Sequence, residues 1–165
     1  MYKRQIIGLR NGVGVVEVTD PTNPRVVGSV ASQSTAWRDL KVYQYFNHRD
    51  NRWESYAYVT ADSASVGTMV VDLRELPDSI SAGITSSNDI SAHNVYLSNV
   101  DYATGVALTG MTPYLHIAGS NQQGGSFNSY GLTDPEQPNP VYVNESSSRS
   151  NYSHDVSSMI ITDDR

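Results

Sequence analysis

WRDLKVY, at residues 37–43, is the stretch that decides the fold, because its pattern occurs twice more along the chain. The later copies are AHNVYL at residues 92–97 and SHDV at residues 153–156. In each copy a polar pair opens a run of residues that favour β-strands. The first residues of these pairs, Arg38, His93 and His154, are 55 and 61 residues apart.

A second marker keeps nearly the same period. An acidic residue ends a strand-like run at Asp20, Asp72 and Asp134, which are 52 and 62 residues apart. Two independent markers with one period indicate one supersecondary unit that is used several times, as in the blades of a β-propeller. The sequence therefore predicts an all-β fold, a partial β-propeller with antiparallel four-stranded blades.

The period divides residues 6–165 into about two complete blades plus parts of two more. Residues 6–30 are predicted as the end of a blade, 37–85 and 92–144 as blades, and 153–165 as the first strand of the next blade. Within the first part, Asn11-Gly12 between two apolar runs is a strong hairpin signal. The long loop 99–113 is predicted either as a decorated loop or as an extra hairpin through Val106.

Residues 1–5 are set apart from this repeat domain. Their sequence, MYKRQ, resembles a translated sequencing-adapter end, which predicts a non-native segment on a metagenomic fragment. The alternative is a native start with a basic first turn. If the segment is adapter-derived, any signal peptide lies outside this piece of the protein.

Composition narrows the class of protein. Charged residues are 17% of the chain, against roughly 25% in ordinary soluble domains. The formal net charge of −6 argues against nucleic acid and anionic membranes as partners, because both need clustered Lys and Arg. No run of about 18 apolar residues occurs, so we expect no membrane insertion in this fragment. The lack of cysteine excludes disulfides, thiol catalysis and thiolate metal sites.

Five segments in order resemble one known family. They are IIGLRNGVGVVEVTDPTNP at 6–24, WRDLKVY at 37–43, AHNVY at 92–96, IAGSN at 117–121 and SHDV at 153–156. Together they resemble the choice-of-anchor B proteins, which carry LVIVD-type β-propeller repeats. The resemblance implies a bacterial protein that is extracellular or at the cell surface, with a signal peptide and an anchor that are not in this fragment. The chain departs from the repeat at residues 131–134, where GLTD replaces the usual Val-Val-Asp run.

The candidate site follows from the propeller prediction. The first strand of each blade lines the central channel, so residues at equivalent strand starts converge around the axis. We predict these residues as the ligand-binding channel face: Arg38, Asp39, His93, Asn94, His154 and Asp155. His93, His154 and Asp155 are the candidate ligands of a divalent cation, the cofactor that these residue types suggest. The alternative is that the pairs cap strand starts and hydrogen-bond to neighbouring blades.

The other chemistry-bearing residues give weaker signals. His116 is expected to be a strand histidine with satisfied nitrogens, and His48 to lie in a solvated loop. Asp62-Ser63 offers oxygen ligands, but without the spacing of a calcium loop.

Two functions from different classes follow. The leading hypothesis is an exported or cell-surface module that binds a surface protein or a carbohydrate, with no catalytic residues assigned. The alternative is a metal-assisted hydrolase or lyase that uses the histidines at the central channel. A third interpretation makes any bound ion purely structural.

Overall fold

The computed structural model describes residues 3–84, 89–120, 123–143 and 152–161. The predicted strand ends at Thr85 and Asn144, residue 151 and residues 162–165 lie outside the described residues, as do the first two residues of the predicted adapter segment. Within the described part the chain is all-β, with thirteen strands in three sheets and one short 3₁₀ turn at Gln123–Gly125. The all-β prediction is confirmed. No helix among the described residues is long and apolar enough to cross a membrane.

The first sheet, sheet A, has three antiparallel strands. They are β1 (Arg4–Leu9), β2 (Gly12–Glu17) and β3 (Arg25–Ala31). The β1–β2 hairpin that Asn11-Gly12 predicts is present, but its two-residue loop is Arg10-Asn11, because Gly12 pairs with Leu9 as the first residue of β2. The structure begins β1 at Arg4 rather than Ile6, because Arg4 pairs with Glu17 along the strand and its guanidinium lies 3.6 Å from the Glu17 carboxylate.

The second sheet, sheet B, contains a four-stranded antiparallel meander. Its strands are β4 (Leu40–Asn47), β5 (Arg52–Val59), β6 (Met69–Asp72) and β7 (Ser81–Ile84). Loop 99–113 adds β9 (Val100–Asp101) and β10 (Val106–Ala107), and β10 pairs in parallel with β4. Loop 99–113 is therefore an extra hairpin, which was one of the two predicted alternatives. It completes a six-stranded sheet in the order β7-β6-β5-β4-β10-β9.

The third sheet, sheet C, is a second four-stranded antiparallel meander. Its strands are β8 (Asn94–Ser98), β11 (Tyr114–Ala118), β12 (Asn128–Gly131) and β13 (Asn139–Tyr142), in the order β13-β12-β11-β8. Although the chain departs from the repeat at residues 131–134, β12 has four residues, as β6 does in sheet B, and its register shifts at Ser129/Tyr130 where it meets β13.

The predicted strand starts need correction. β4 begins at Leu40 and β8 at Asn94, rather than at Arg38 and His93. The prediction of a strand from residue 153 is wrong for its described part, because residues 152–161 carry no strand. Side-chain contacts hold this segment instead of a ladder of backbone bonds: the Val156 N–H donates to Asn94 Oδ1, and the Tyr96 hydroxyl donates to the Ser158 carbonyl.

Sheet B is buried on both faces because alternate residues of a strand point to opposite sides. Tyr56 and Tyr58 of β5 join a core with the inner residues of sheet C, whereas Ala57 and Val59 join a core with Val13 and other residues of sheet A. Burying each large side chain of this kind stabilises the fold by about 1.5–3 kcal/mol. The three sheets are therefore packed in sequence order, with sheet B between the other two.

Glu54 is a buried acid in sheet B, with 3% of its surface exposed. Its carboxylate accepts hydrogen bonds from the Tyr45 hydroxyl at 2.7 Å, from Asn47 Nδ2 at 2.9 Å and from Arg52 Nε at 3.4 Å. Burial by itself raises the pKa of Glu54, but the hydrogen bonds outweigh it and the pKa is lower than usual.

The lowered pKa of Glu54 predicts a loss of stability in acid. A carboxyl with a depressed pKa in the folded state stabilises above its unfolded pKa of about 4.3, and this contribution is lost as the pH falls through the folded pKa. We expect Glu54→Gln to lower the free energy of unfolding at neutral pH by about 1–3 kcal/mol, and to lose less on further acidification. Urea titrations across the acid range measure both. Glu75→Gln is the control, since the Glu75 carboxylate is exposed and forms an ion pair with the same Arg52. An equal fall in the free energy of unfolding with pH for wild type and Glu54→Gln would contradict the prediction.

Candidate functional site

The structure divides the six predicted site residues into three groups. Asp39 and Asn94 form a hydrogen bond with each other, which joins the starts of β4 and β8. Arg38 donates to a backbone carbonyl of sheet A. The other three residues form a cluster, namely His93, His154 and Asp155. They therefore do not form one common ligand set.

Asp39 connects the start of β4 to the start of β8. Its Oδ1 accepts from the Leu40 N–H at 2.8 Å and from Lys41 Nζ at 2.9 Å. Its Oδ2 accepts from Asn94 Nδ2 at 2.9 Å and from the Val95 N–H at 3.1 Å. All four donors point at one carboxylate, and the two from β8 connect the start of β4 to sheet C.

The same connection recurs one unit later. Asn94 Oδ1 accepts a hydrogen bond from the Val156 N–H at 3.3 Å, just as Asp39 accepts one from the Val95 N–H. The two bonds span 62 and 56 residues, close to the sequence period. In both units, the second residue of a polar pair accepts a hydrogen bond from the backbone N–H that follows the next polar pair. These bonds correspond to the structural role that the sequence predicts as the alternative.

Arg38 makes the corresponding connection in the other direction. Its Nε donates to the Leu9 carbonyl at 2.9 Å, and its Nη2 donates to the Gln33 carbonyl. Burial lowers the pKa of the Arg38 guanidinium. With both nitrogens on backbone carbonyls of the preceding unit, Arg38 joins sheet A to the start of β4.

His93 is held on three sides. Its ring stacks on Trp37 at 5.0 Å between centroids and 8° between planes, and lies 4.0 Å from the ring of His154. His93 Nδ1 lies 2.9 Å from Asp62 Oδ2. Trp37 Nε1 also donates to the His93 carbonyl at 3.2 Å, so the indole is fixed against this residue by stacking and by a hydrogen bond.

His154 and Asp155 complete the cluster from the segment 152–161. Both side chains are largely exposed, at 64% and 68%, and His154 Nδ1 lies 2.7 Å from Asp155 Oδ2. One ligand atom from each of His93, His154 and Asp155 lies within 4.8 Å of the others. Two imidazoles and a carboxylate at this spacing are a donor set suited to a transition-metal ion.

Two glycines leave room for the segment that carries His154 to pack against sheet C. A Cβ on Gly125 would lie 2.3 Å from the Tyr152 ring, and one on Gly119 would lie 2.8 Å from the His93 Cβ. The Ser153 N–H donates to the Gly125 carbonyl at 2.8 Å. Burial raises the pKa of the Tyr152 hydroxyl.

Sequence reasoning did not assign Trp37, Asp62 or Tyr152 to the site. Trp37 had a signal, since it directly precedes the first polar pair. Asp62 follows β5, and the spacing along the chain does not reveal that it meets His93, 31 residues away.

The remaining histidines lie apart from the cluster. His116 Nδ1 lies 2.7 Å from Ser129 Oγ and its Nε2 lies 2.9 Å from Ser98 Oγ, so both nitrogens are satisfied as expected, and burial lowers the pKa of His116. His48 is exposed in the β4–β5 loop and contacts the edge of Phe46.

Comparison with known proteins adds no relative. No family model, no curated protein and no solved structure matches this chain. The resemblance to choice-of-anchor B proteins therefore stays a prediction.

Proposed function

We propose that this chain is a carbohydrate-recognition module of a cell-surface β-propeller, with Trp37 as its stacking platform. The observation that carries the proposal is an indole that is 53% exposed and yet held rigidly by the His93 ring and the His93 carbonyl. A fixed, exposed aromatic ring offers an apolar face to the C–H side of a sugar and loses little conformational entropy on binding.

Further groups beside Trp37 suit a sugar ligand. Tyr152 is 51% exposed on the same cluster, 6.4 Å from His154 between ring centroids. His154 and Asp155 add exposed polar atoms that can donate to or accept from sugar hydroxyls. An aromatic platform with a few polar groups is the composition expected of a small-molecule site.

The partial β-propeller is part of the same proposal. It is supported by the packing of sheet B between sheets A and C, and by the two hydrogen bonds that repeat with the sequence period. The extracellular or cell-surface location rests on the family resemblance alone. The net charge of −6 is the reason for proposing no nucleic-acid partner.

The chain carries its own matched control for the carbohydrate proposal. Its two tryptophans, Trp37 and Trp53, are exposed to similar extents, at 53% and 56%, but Trp53 packs against Phe46 away from the cluster. We expect Trp37→Ala to weaken binding of a sugar identified on a glycan array about 30-fold, the effect of losing an aromatic hot spot. Trp53→Ala should bind as the wild type does.

Calorimetric titration with that sugar measures the affinities of the wild type and of both variants. Equal losses in the two variants, or no sugar bound by the chain, would contradict the carbohydrate proposal. If a purified surface protein binds instead of a sugar, and Trp37→Ala abolishes that binding, the ligand is the protein partner that the sequence also predicts. The metal-assisted hydrolase or lyase stays a prediction, since it requires a bound ion at the histidines.

A further inference from the structure

We propose that His93, His154 and Asp155 bind one transition-metal ion of the zinc class. The inference does not depend on the carbohydrate proposal, because it concerns a different ligand and its test measures zinc binding, although His154 and Asp155 take part in both proposals. It rests on the proximity of three metal-ligating side chains from two segments of the chain. Asp155 follows His93 by 62 residues, yet their ligand atoms lie close together.

The spacing of the ligand atoms is close to what an ion requires. Zinc–nitrogen bonds of about 2.0–2.1 Å allow two ligands of one ion to stand up to about 4 Å apart. The three ligand atoms lie within 4.8 Å of one another before any ion is considered. His154 and Asp155 are exposed, so small side-chain rotations close the remaining gap without moving the sheets.

His93 is oriented in advance for this role. Since the Asp62 carboxylate only accepts hydrogen bonds, His93 Nδ1 carries the proton of the 2.9 Å bond and Nε2 keeps its lone pair for a metal. The stacked Trp37 ring fixes the plane of the imidazole. A carboxylate that holds the second nitrogen of a ligating histidine is the usual outer-shell partner of zinc sites.

His154 and Asp155 supply the other two ligands. His154 Nδ1 lies 2.7 Å from Asp155 Oδ2. An ion bound by both atoms would take the place of this hydrogen bond, with the imidazole of His154 in the tautomer that carries its proton on Nε2. Two imidazoles with a single carboxylate favour zinc-class ions over calcium or magnesium, which prefer oxygen ligands.

Zinc titration of the full chain by calorimetry tests the proposal, with Co²⁺ absorption as a second probe of the coordination geometry. We expect one Zn²⁺ per chain, and affinity at least about 100-fold weaker in His154→Ala. His154 is exposed, and among the described residues its side chain hydrogen-bonds to its neighbour Asp155 alone, so this variant should keep its fold even if His93→Ala does not. His48→Ala, which removes an exposed histidine elsewhere, should bind zinc as the wild type does.

A second variant tests the outer shell. Asp62→Asn keeps a hydrogen-bonding side chain beside His93 but removes the charge, and we expect zinc affinity to fall about 10–100-fold. The proposal is overturned by the absence of stoichiometric zinc, by unchanged zinc affinity in His154→Ala, by an equal loss in His48→Ala, or by a preference for Ca²⁺ over Zn²⁺. Since Trp53 and Trp37 play no part as ligands, these outcomes are distinct from those of the sugar titration.

Discussion

Asp39→Ala is expected to lower the free energy of unfolding by about 3 kcal/mol, because it leaves four donors at a sheet boundary without their acceptor. Two of these donors are backbone N–H groups, of Leu40 at the first residue of β4 and of Val95 at the second residue of β8, and the other two are Asn94 Nδ2 and Lys41 Nζ. The side chain is only 22% exposed, so water replaces the carboxylate poorly. Urea unfolding of the full chain measures the loss.

Two further variants separate this connection from a local effect. Asp134 also accepts two backbone N–H bonds, but both come from its own exposed loop, so Asp134→Ala should cost at most about 1 kcal/mol. Asp39→Asn keeps one oxygen for the Val95 N–H and should lie between wild type and Asp39→Ala, as Asn94 serves the next unit with an amide oxygen. A cost for Asp39→Ala no larger than that for Asp134→Ala would show that the boundary does not depend on this carboxylate.

The sequence period predicted the fold at the level of strands and sheets because it reflects local chemistry. Asn11-Gly12 predicts the β1–β2 hairpin, whose loop lies one residue earlier at Arg10-Asn11, and the β-branched and aromatic runs mark the strands of both meanders. The parallel pairing of β10 with β4 was not predictable, since it depends on one short contact between Val106 and Gln44 across two units. The strand expected at residues 153–165 failed in its described part because strand propensity forms no strand without a partner.

The sequence indicates which strand-start residues lie near one another better than it indicates what each of them contacts. The polar pairs mark the strand starts, but a sequence does not show that the side-chain oxygens of Asp39 and Asn94 accept hydrogen bonds from the backbone of the next unit. His93 and His154 meet because the repeat places equivalent positions side by side, whereas Asp62 reaches His93 from the end of β5. Periodicity therefore finds equivalent positions, and contacts between positions that are not equivalent need the structure.

Gly125→Ala is expected to weaken zinc binding about 100-fold without changing any ligand, because His154 depends on the seating of the segment that carries it. The added Cβ would stand 2.3 Å from the Tyr152 ring, closer than atoms approach, so Tyr152 and the segment behind it must move. The hydrogen bond from the Ser153 N–H to the Gly125 carbonyl is strained by the same shift. Faster hydrogen exchange at Ser153 reports this displacement even if no zinc binds.

Gly110→Ala is the matched control for Gly125→Ala. Both glycines have a positive φ, +75° at Gly110 and +82° at Gly125, so an added Cβ costs each backbone about 1–2 kcal/mol. A Cβ on Gly110 meets no atom within 4 Å, so this variant carries the backbone strain without the collision. If the two variants lose zinc affinity and Ser153 protection equally, strain alone accounts for the loss. If only Gly125→Ala loses them, the contact with Tyr152 is what holds His154 beside His93.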